Sequence, residues 1–472
     1  MAGGRAQTPQ LINPKYGTHK AGGLTYKTTK AYIDVPENRS DSASRLIRLP
    51  VFIIHSPAPQ PAEPVFYFRG GPGASNIVTT DNTLLLAKHD FVCVGYRGAD
   101  GPVLKSKKVG RAVRGKKHQL LSNESLDNSA EVMTRYCEKL EQQGVHIASY
   151  TVMDVIEDVE YARKALGYGR IHALSSSYGT RVALLYSYKY PDVIFRSVMI
   201  GANPPGNFFW DPAETDRILD RYDSIYHAQH PDSVPGIIKA NMKKAFAKMP
   251  KRWRGLRLDA DKIKVGTFML LFSTQSASMA FEAFFNAAYK DDYSGLYAMQ
   301  MLYDVFVPRT YWGDMMLKGF SADFEPDSNY RQALGKYGQL VLGPHYTMVL
   351  WGPGARINIK PIPAEYRTPR VSQTPTLIIS GTLDVSTPAV NAVTQLMPYL
   401  PNGHHLLLPN ASHQDLKAQK QSYEKYVAGF FDTGVADDSL FTLQEVNFKP
   451  AKSLGKIARR FYPVILVMRL FM

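Results

Sequence analysis

The sequence has only two cysteines, Cys93 and Cys137, too few for a disulfide framework. Cys93 sits in the apolar run Phe91-Val92-Cys93-Val94, where a thiol serves as a small buried hydrophobe. That usage fits a reducing compartment, and a cytoplasmic protein is expected. The N-terminal stretch lacks an apolar signal core, so secretion is not expected. Zinc-ligand spacing is missing too: His89 lies near Cys93, but no second pair completes a site. The glycine loop Arg69-Gly70-Gly71-Pro72-Gly73 has the spacing of neither a P-loop nor a dinucleotide fingerprint. Acidic side chains are in the minority, 41 against 56 Lys and Arg, for a formal charge of +15. Such a surplus attracts acidic surfaces. It gathers at 105–117, 243–257 and 452–460, where solvated loops and helix faces account for it. No nucleic-acid-binding signature accompanies it, so nucleic acid is not an expected partner.

What is present is a repeated alternation of strand and helix. At 472 residues the chain has room for two or three domains, or one domain with a large insertion. Residues 1–60 are polar and turn-rich. Their short runs Ala31–Val35 and Leu49–Ile54 read as antiparallel edge strands. Buried strands follow at Val65–Phe68, Phe91–Tyr96, Ile171–Leu174, Phe195–Ile200, Pro375–Gly381 and Gly403–Leu408. Helical periodicity marks 129–143 and 151–166, the latter with Thr151 as N-cap. Parallel strands interleaved with helices imply a doubly wound, mostly parallel α/β sheet whose strand-end loops converge at one rim. From about 207 to 365 the alternation stops. That stretch is helical and rich in Met and aromatic residues, as an inserted cap would be. The expected division is a core in two parts, 1–206 and 366–440, a helical cap over 207–365, and a basic, apolar tail over 441–472.

Three signals lie just past predicted strands. Ser175-Ser176-Ser177-Tyr178-Gly179-Thr180 joins a strand to a helix ended by Pro191, with Ser177 at the apex. This is the form of a nucleophile elbow, in which the turn lifts the Ser177 hydroxyl and the helix N-terminus faces the site. Asp384 follows the strand ending at Gly381. His413 closes the loop Pro409–His413. A serine hydroxyl needs a base within reach, and the base needs an orienting carboxylate. His413 would take the Ser177 proton and Asp384 would hold the imidazole. The glycines of Arg69-Gly70-Gly71-Pro72-Gly73 can turn N–H groups toward a small anion. The N–H of Tyr178 and one from Gly70 or Gly71 would form the oxyanion hole. His404 and His405 rival His413 but open a strand and read as structural.

In these segments the chain resembles the proline iminopeptidase and tripeptidyl aminopeptidase branch of the α/β hydrolases. The segments are FRGGPG, GYRG (95–98), SSSYGTR (175–181), SGTLDVSTP (380–388), NASH (410–413) and RSVMIGANPPG (196–206). They cover about 60–210 and 365–430. The resemblance implies an α/β-hydrolase fold, the triad Ser177, Asp384 and His413, release of residues or short peptides from a free N-terminus, and no cofactor. Four positions depart from it. Arg69 stands where many relatives have His, Ser175 replaces the elbow glycine, Gly95-Tyr96 replaces an Asp-containing start, and Ser106 stands at a Cys position of secreted relatives. None removes a catalytic group.

The expected substrate is therefore a peptide or a small acyl compound. A carboxylesterase or lipase-like hydrolase on the same fold and a non-catalytic binding protein are the alternatives. An aminopeptidase must pair a charged α-amine with a carboxylate. Glu282, within Met279–Phe285, is the expected supplier. In the tail, Lys456, Arg459 and Arg460 precede the apolar run Phe461–Met468. That pairing suits weak contact with an anionic membrane surface, and a tail packed on the protein is the alternative.

Overall fold

The computed structural model describes residues 9–115, 119–325, 327–354 and 359–464. Strands β1 (Ile12–Ala21), β2 (Leu24–Pro36), β3 (Leu46–Ile54), β4 (Ala62–Phe68), β5 (His89–Val94), β6 (Ile171–Ser176) and β7 (Ile194–Ile200) come first. A two-stranded hairpin, β8 (Arg252–Trp253) with β9 (Leu256–Arg257), stands apart, and β10 (Thr376–Gly381) and β11 (Gly403–Leu408) complete the main sheet. Its order is β1-β2-β3-β5-β4-β6-β7-β10-β11. The first three strands and β5 pair antiparallel. From β5 to β11 all pairing is parallel. This is the mostly parallel α/β sheet read from the sequence, with the antiparallel strands on one edge.

Successive residues of a strand face opposite sides, and the core divides accordingly. Val92, Val94, Ile171 and Ala173 face one layer, with helices Asn123–Gln142, Val152–Ala165 and Tyr178–Lys189. Phe91, Cys93 and Leu174 face the other, with helix Lys420–Thr433. Thr151 caps its helix through a reciprocal pair of bonds with Asp154, which satisfies two of the N–H groups every helix start leaves open. The charged groups Asp158 and Arg163 are structural. Asp158 pairs with the buried Arg97 at 2.6 Å, and Arg163 with Glu160.

Between β7 and β10 the described residues add helices and the small hairpin but no main-sheet strand. These helices hold their own apolar cluster around Tyr222, Phe281, Phe284 and Tyr297. One of them, Trp312–Asp323, also reaches the sheet. Asp323 pairs with the fully buried Arg181 of the helix after β6 at 2.8 Å. Arg181 further donates to the Asn203 carbonyl. The insert is thereby anchored directly to the helix behind Ser177.

The described part of the tail lies on the insert. Val446, Leu454 and Ala458 are buried in its cluster, and Arg459 pairs with Asp292. Helix Leu454–Arg460 turns an apolar face inward and leaves Phe461 and Val464 exposed. The rest of the apolar run, 465–468, lies outside the described residues. No described helix is long and apolar enough to cross a membrane.

Candidate active site

Ser177 begins at the C-terminal end of β6, where the chain reverses into helix Tyr178–Lys189. Its φ of 52° and ψ of −125° put a non-glycine residue in a region that costs about 1–3 kcal/mol. Neighbours hold it there. The Ser177 N–H donates to the Ile200 carbonyl at 2.8 Å. Gly179 is forced by packing, since a Cβ there would lie 2.0 Å from the Phe68 oxygen. Ser175 fits the position usually given to glycine because its buried hydroxyl donates to the Val198 carbonyl at 2.9 Å.

Asp384 follows β10 and is fully buried. One carboxylate oxygen accepts the N–H groups of Ser386 and Thr387, at 2.8 and 2.9 Å. The other accepts the Thr387 hydroxyl at 2.7 Å and lies 2.8 Å from His413 Nδ1. Burial raises the Asp384 pKa, but His413 and the Thr387 donors more than offset it, and the net shift is downward. Asp384 is thus kept as an anion facing the imidazole. A Cβ on Gly201, whose φ is 63°, would sit 3.0 Å from His413 Cε1, so the ring lies against bare backbone. Its other side meets the edge of Phe272, with ring centroids 5.4 Å apart. Ser177 and His413 line the same cavity, and no hydrogen bond joins them in this structure. Such bonds are often open before substrate arrives.

The glycine loop closes the site. A Cβ on Gly70 would fall 2.9 Å from Ser177 Cβ, so only glycine lets the loop approach the serine this closely. The Gly70, Gly71 and Tyr178 N–H groups have no hydrogen-bond partner among the described residues, and all three residues line the cavity. The loop is tied at both ends. Asn76 accepts from the Arg69 N–H and donates to the Tyr67 and Val94 carbonyls. Asp314, on the inserted helix Trp312–Asp323, accepts the Gly73 N–H at 2.9 Å. Asp314 and its partner Lys318 are both fully buried, and Lys318 also donates to the Arg97 carbonyl at 2.8 Å.

The cavity measures about 650 Å³, within the usual range for small-molecule sites. Its walls include Phe208, Trp210, Phe272, Trp312, Tyr346 and Trp351. Among the described residues no Asp or Glu lines it; the basic side chains on its wall are Arg69, Lys417 and the triad histidine. No group of three or more His, Cys, Asp or Glu suited to a metal occurs among the described residues.

The structure therefore brings together six of the residues singled out in the sequence: Ser177, Asp384, His413, Gly70, Gly71 and Tyr178. It does not bring Glu282 to them. Glu282 is on helix Thr274–Lys290 and is not part of the cavity wall. That helix starts beside the site, where Asp415 accepts the Thr274 N–H, and Glu282 comes eight residues later, about 12 Å along the axis. It shares a face with Phe285 and Tyr289, both exposed. The apolar surroundings that suggested a pocket belong partly to an outer face, whose rings are covered by Lys290 and Lys244. Glu282 Oε2 is itself buried without a hydrogen-bond partner among the described residues, outside the wall of the triad cavity. His404 lies on β11 with its Nε2 on Asp438, away from the cavity. Thr387, Phe272, Asp314 and Lys417 were not singled out. Only Asp314 and Lys318 left a signal, an i,i+4 charge pair in a mostly apolar and aromatic helix.

A family model described as alpha/beta hydrolase fold matches residues 127–417. That is more than half of the chain, and the chain belongs to the α/β-hydrolase fold family. No curated protein matches the sequence. Solved structures similar to it include a proline iminopeptidase from Mycobacterium smegmatis, 14% identical over 85% of this chain and 97% of that one, with a TM-score of 0.41. An esterase from Exiguobacterium antarcticum is 13% identical over 82% and 97%, with a TM-score of 0.35. An epoxide hydrolase from Vigna radiata is 12% identical over 89% and 98%, with a TM-score of 0.32. These likenesses do not bear on the substrate.

Proposed function

We propose that this α/β hydrolase is a serine esterase that cleaves carboxylic esters with a bulky apolar group, through an acyl-enzyme on Ser177. The observation that carries the reading is the convergence of Ser177 and the His413–Asp384 pair on an aromatic cavity without a carboxylate on its described walls. In the first half-reaction Ser177 Oγ attacks the ester carbonyl while His413 Nε2 takes its proton. The Tyr178 N–H and the Gly70 or Gly71 N–H bind the oxyanion, each donor being worth about 3–4 kcal/mol in the transition state. Collapse expels the alcohol, which leaves with the proton from His413. Water, deprotonated by His413, then attacks the acyl carbon and restores Ser177. Asp384 stabilises the imidazolium in both halves.

Release of residues from a free N-terminus uses the same chemistry but asks more of the pocket. An α-amine, with a pKa of roughly 8, is largely charged near neutral pH. Beside the triad, the cavity offers that ammonium Arg69 and Lys417, which repel it. The test is a set of aminoacyl 4-nitrophenyl esters, each with a free and an N-acetylated amine, beside simple acyl esters. Acetylation is expected to leave kcat/KM unchanged or raise it, and turnover should increase with apolar acyl bulk. A loss of about tenfold or more on acetylation, the effect of about 1.4 kcal/mol, would favour the aminopeptidase instead.

A further inference from the structure

Lys417 is the cavity group that the reaction above leaves unused. It ends the turn Asp415–Lys417, four residues past His413, and lines the same cavity. Its ammonium is held between two tyrosines, 5.8 Å from the Tyr67 ring centroid and 5.7 Å from that of Tyr423. Tyr67 in turn hydrogen-bonds Ser176 Oγ at 3.1 Å, next to the nucleophile. A partly buried lysine ordinarily has an acid beside it. Lys417 forms no ion pair among the described residues. The acids nearest in sequence are engaged elsewhere: Asp415 accepts from Ser273 and from the Thr274 N–H, and Glu424 lies 3.7 Å from Lys420. Arg69, which lines the same cavity, is near enough to oppose the Lys417 charge, and it too has no ion pair among the described residues. Among the described residues its guanidinium donates to the Ser75 carbonyl, at 3.2 Å.

Two cations facing one cavity, with aromatic rings behind one of them and no resident acid, form an anion subsite. We propose that Lys417, with Arg69 beside it, receives an anionic group of the substrate, so that the preferred ester carries a carboxylate in addition to its apolar part. The inference rests on the esterase reading and specifies its substrate class. Tyr67 and Tyr423 keep the ammonium in place by cation–π attraction, and Tyr67 also takes part in a side-chain hydrogen bond with it, which leaves further ammonium hydrogens for the carboxylate. A charge-assisted hydrogen bond of this kind is stronger than a neutral one.

The test compares mono-4-nitrophenyl esters of dicarboxylic acids with 4-nitrophenyl esters of monocarboxylic acids of the same chain length. The wild-type enzyme is expected to favour the carboxylate-bearing member at one chain length by at least about tenfold in kcat/KM. The measured quantity is that ratio. In Lys417→Met it should fall toward one, and Arg69→Gln should lower it less. Lys417→Arg should keep most of it, which separates a charge requirement from a folding defect. Lys420→Met, an exposed lysine on the next helix, should not change it. A ratio near one at every chain length in the wild type, or a preference that survives in Lys417→Met, overturns the proposal. Cleavage of the neutral ester decides the esterase reading separately: neutral turnover without charge preference rejects only the subsite.

Discussion

His413→Ala is expected to lower kcat by about 10⁶-fold, because a serine without its base retains only the contributions of binding and the oxyanion hole. Asp384→Asn should cost about 10⁴-fold, since an amide holds the imidazole in place but in the wrong tautomer. The two effects should not add, because the three groups act as a unit. Circular dichroism and Tm of each variant control for folding. The rival histidines give the sharpest comparison. His404 Nε2 donates to the exposed Asp438 carboxylate at the sheet edge, and His405 is on the same strand. His404→Ala and His405→Ala should keep most of the activity. Comparable losses in all three alanine variants would leave the base unidentified.

The second large effect concerns Asp314, which touches no reacting atom. Its carboxylate accepts the Gly73 N–H and thereby fixes the loop that carries the Gly70 and Gly71 donors. In Asp314→Ala that loop loses its anchor, and kcat should fall about 100-fold, the scale of one lost oxyanion donor. KM should change little, because the aromatic walls are untouched. The single variant also leaves the Lys318 ammonium buried and unpaired, which should destabilise the fold by about 3–5 kcal/mol. The double variant Asp314→Ala/Lys318→Met removes that charge. It should recover much of the stability, read by denaturant melts, and none of the rate. A double variant with both restored would mean that Asp314 serves the fold alone.

The parts of this molecule that were legible in the sequence are those whose residues interact locally. The buried parallel strands announce themselves as apolar runs because both faces are covered; β11 falls on Gly403–Leu408, the bounds expected for it. The triad was legible through chain order and through strand ends. β1 was not, since nearly every side chain in Ile12–Ala21 faces solvent and an exposed edge strand needs no alternation. The anchors of the oxyanion loop were not legible either. Asp314 lies 241 residues from the Gly73 N–H that it accepts, and sequence spacing carries no trace of such a contact. The placement of Glu282 outside the triad cavity was not legible for a related reason: Phe284 is buried while Phe285 is exposed, so apolar residues alone do not say which face of a helix is the inner one. Lys417 was hidden because a lysine in a polar loop has the composition of an ordinary surface residue.

The central claim is that Ser177 is a nucleophile activated by its surroundings. Its most direct test is reaction of the full-length protein with a fluorophosphonate, followed by mass spectrometry of the modified peptide. Stoichiometric labelling confined to Ser177, absent in Ser177→Ala and strongly slowed in His413→Ala, is the expected result. Labelling of Ser177→Ala at the wild-type level, or no labelling of the folded wild-type protein, would contradict it.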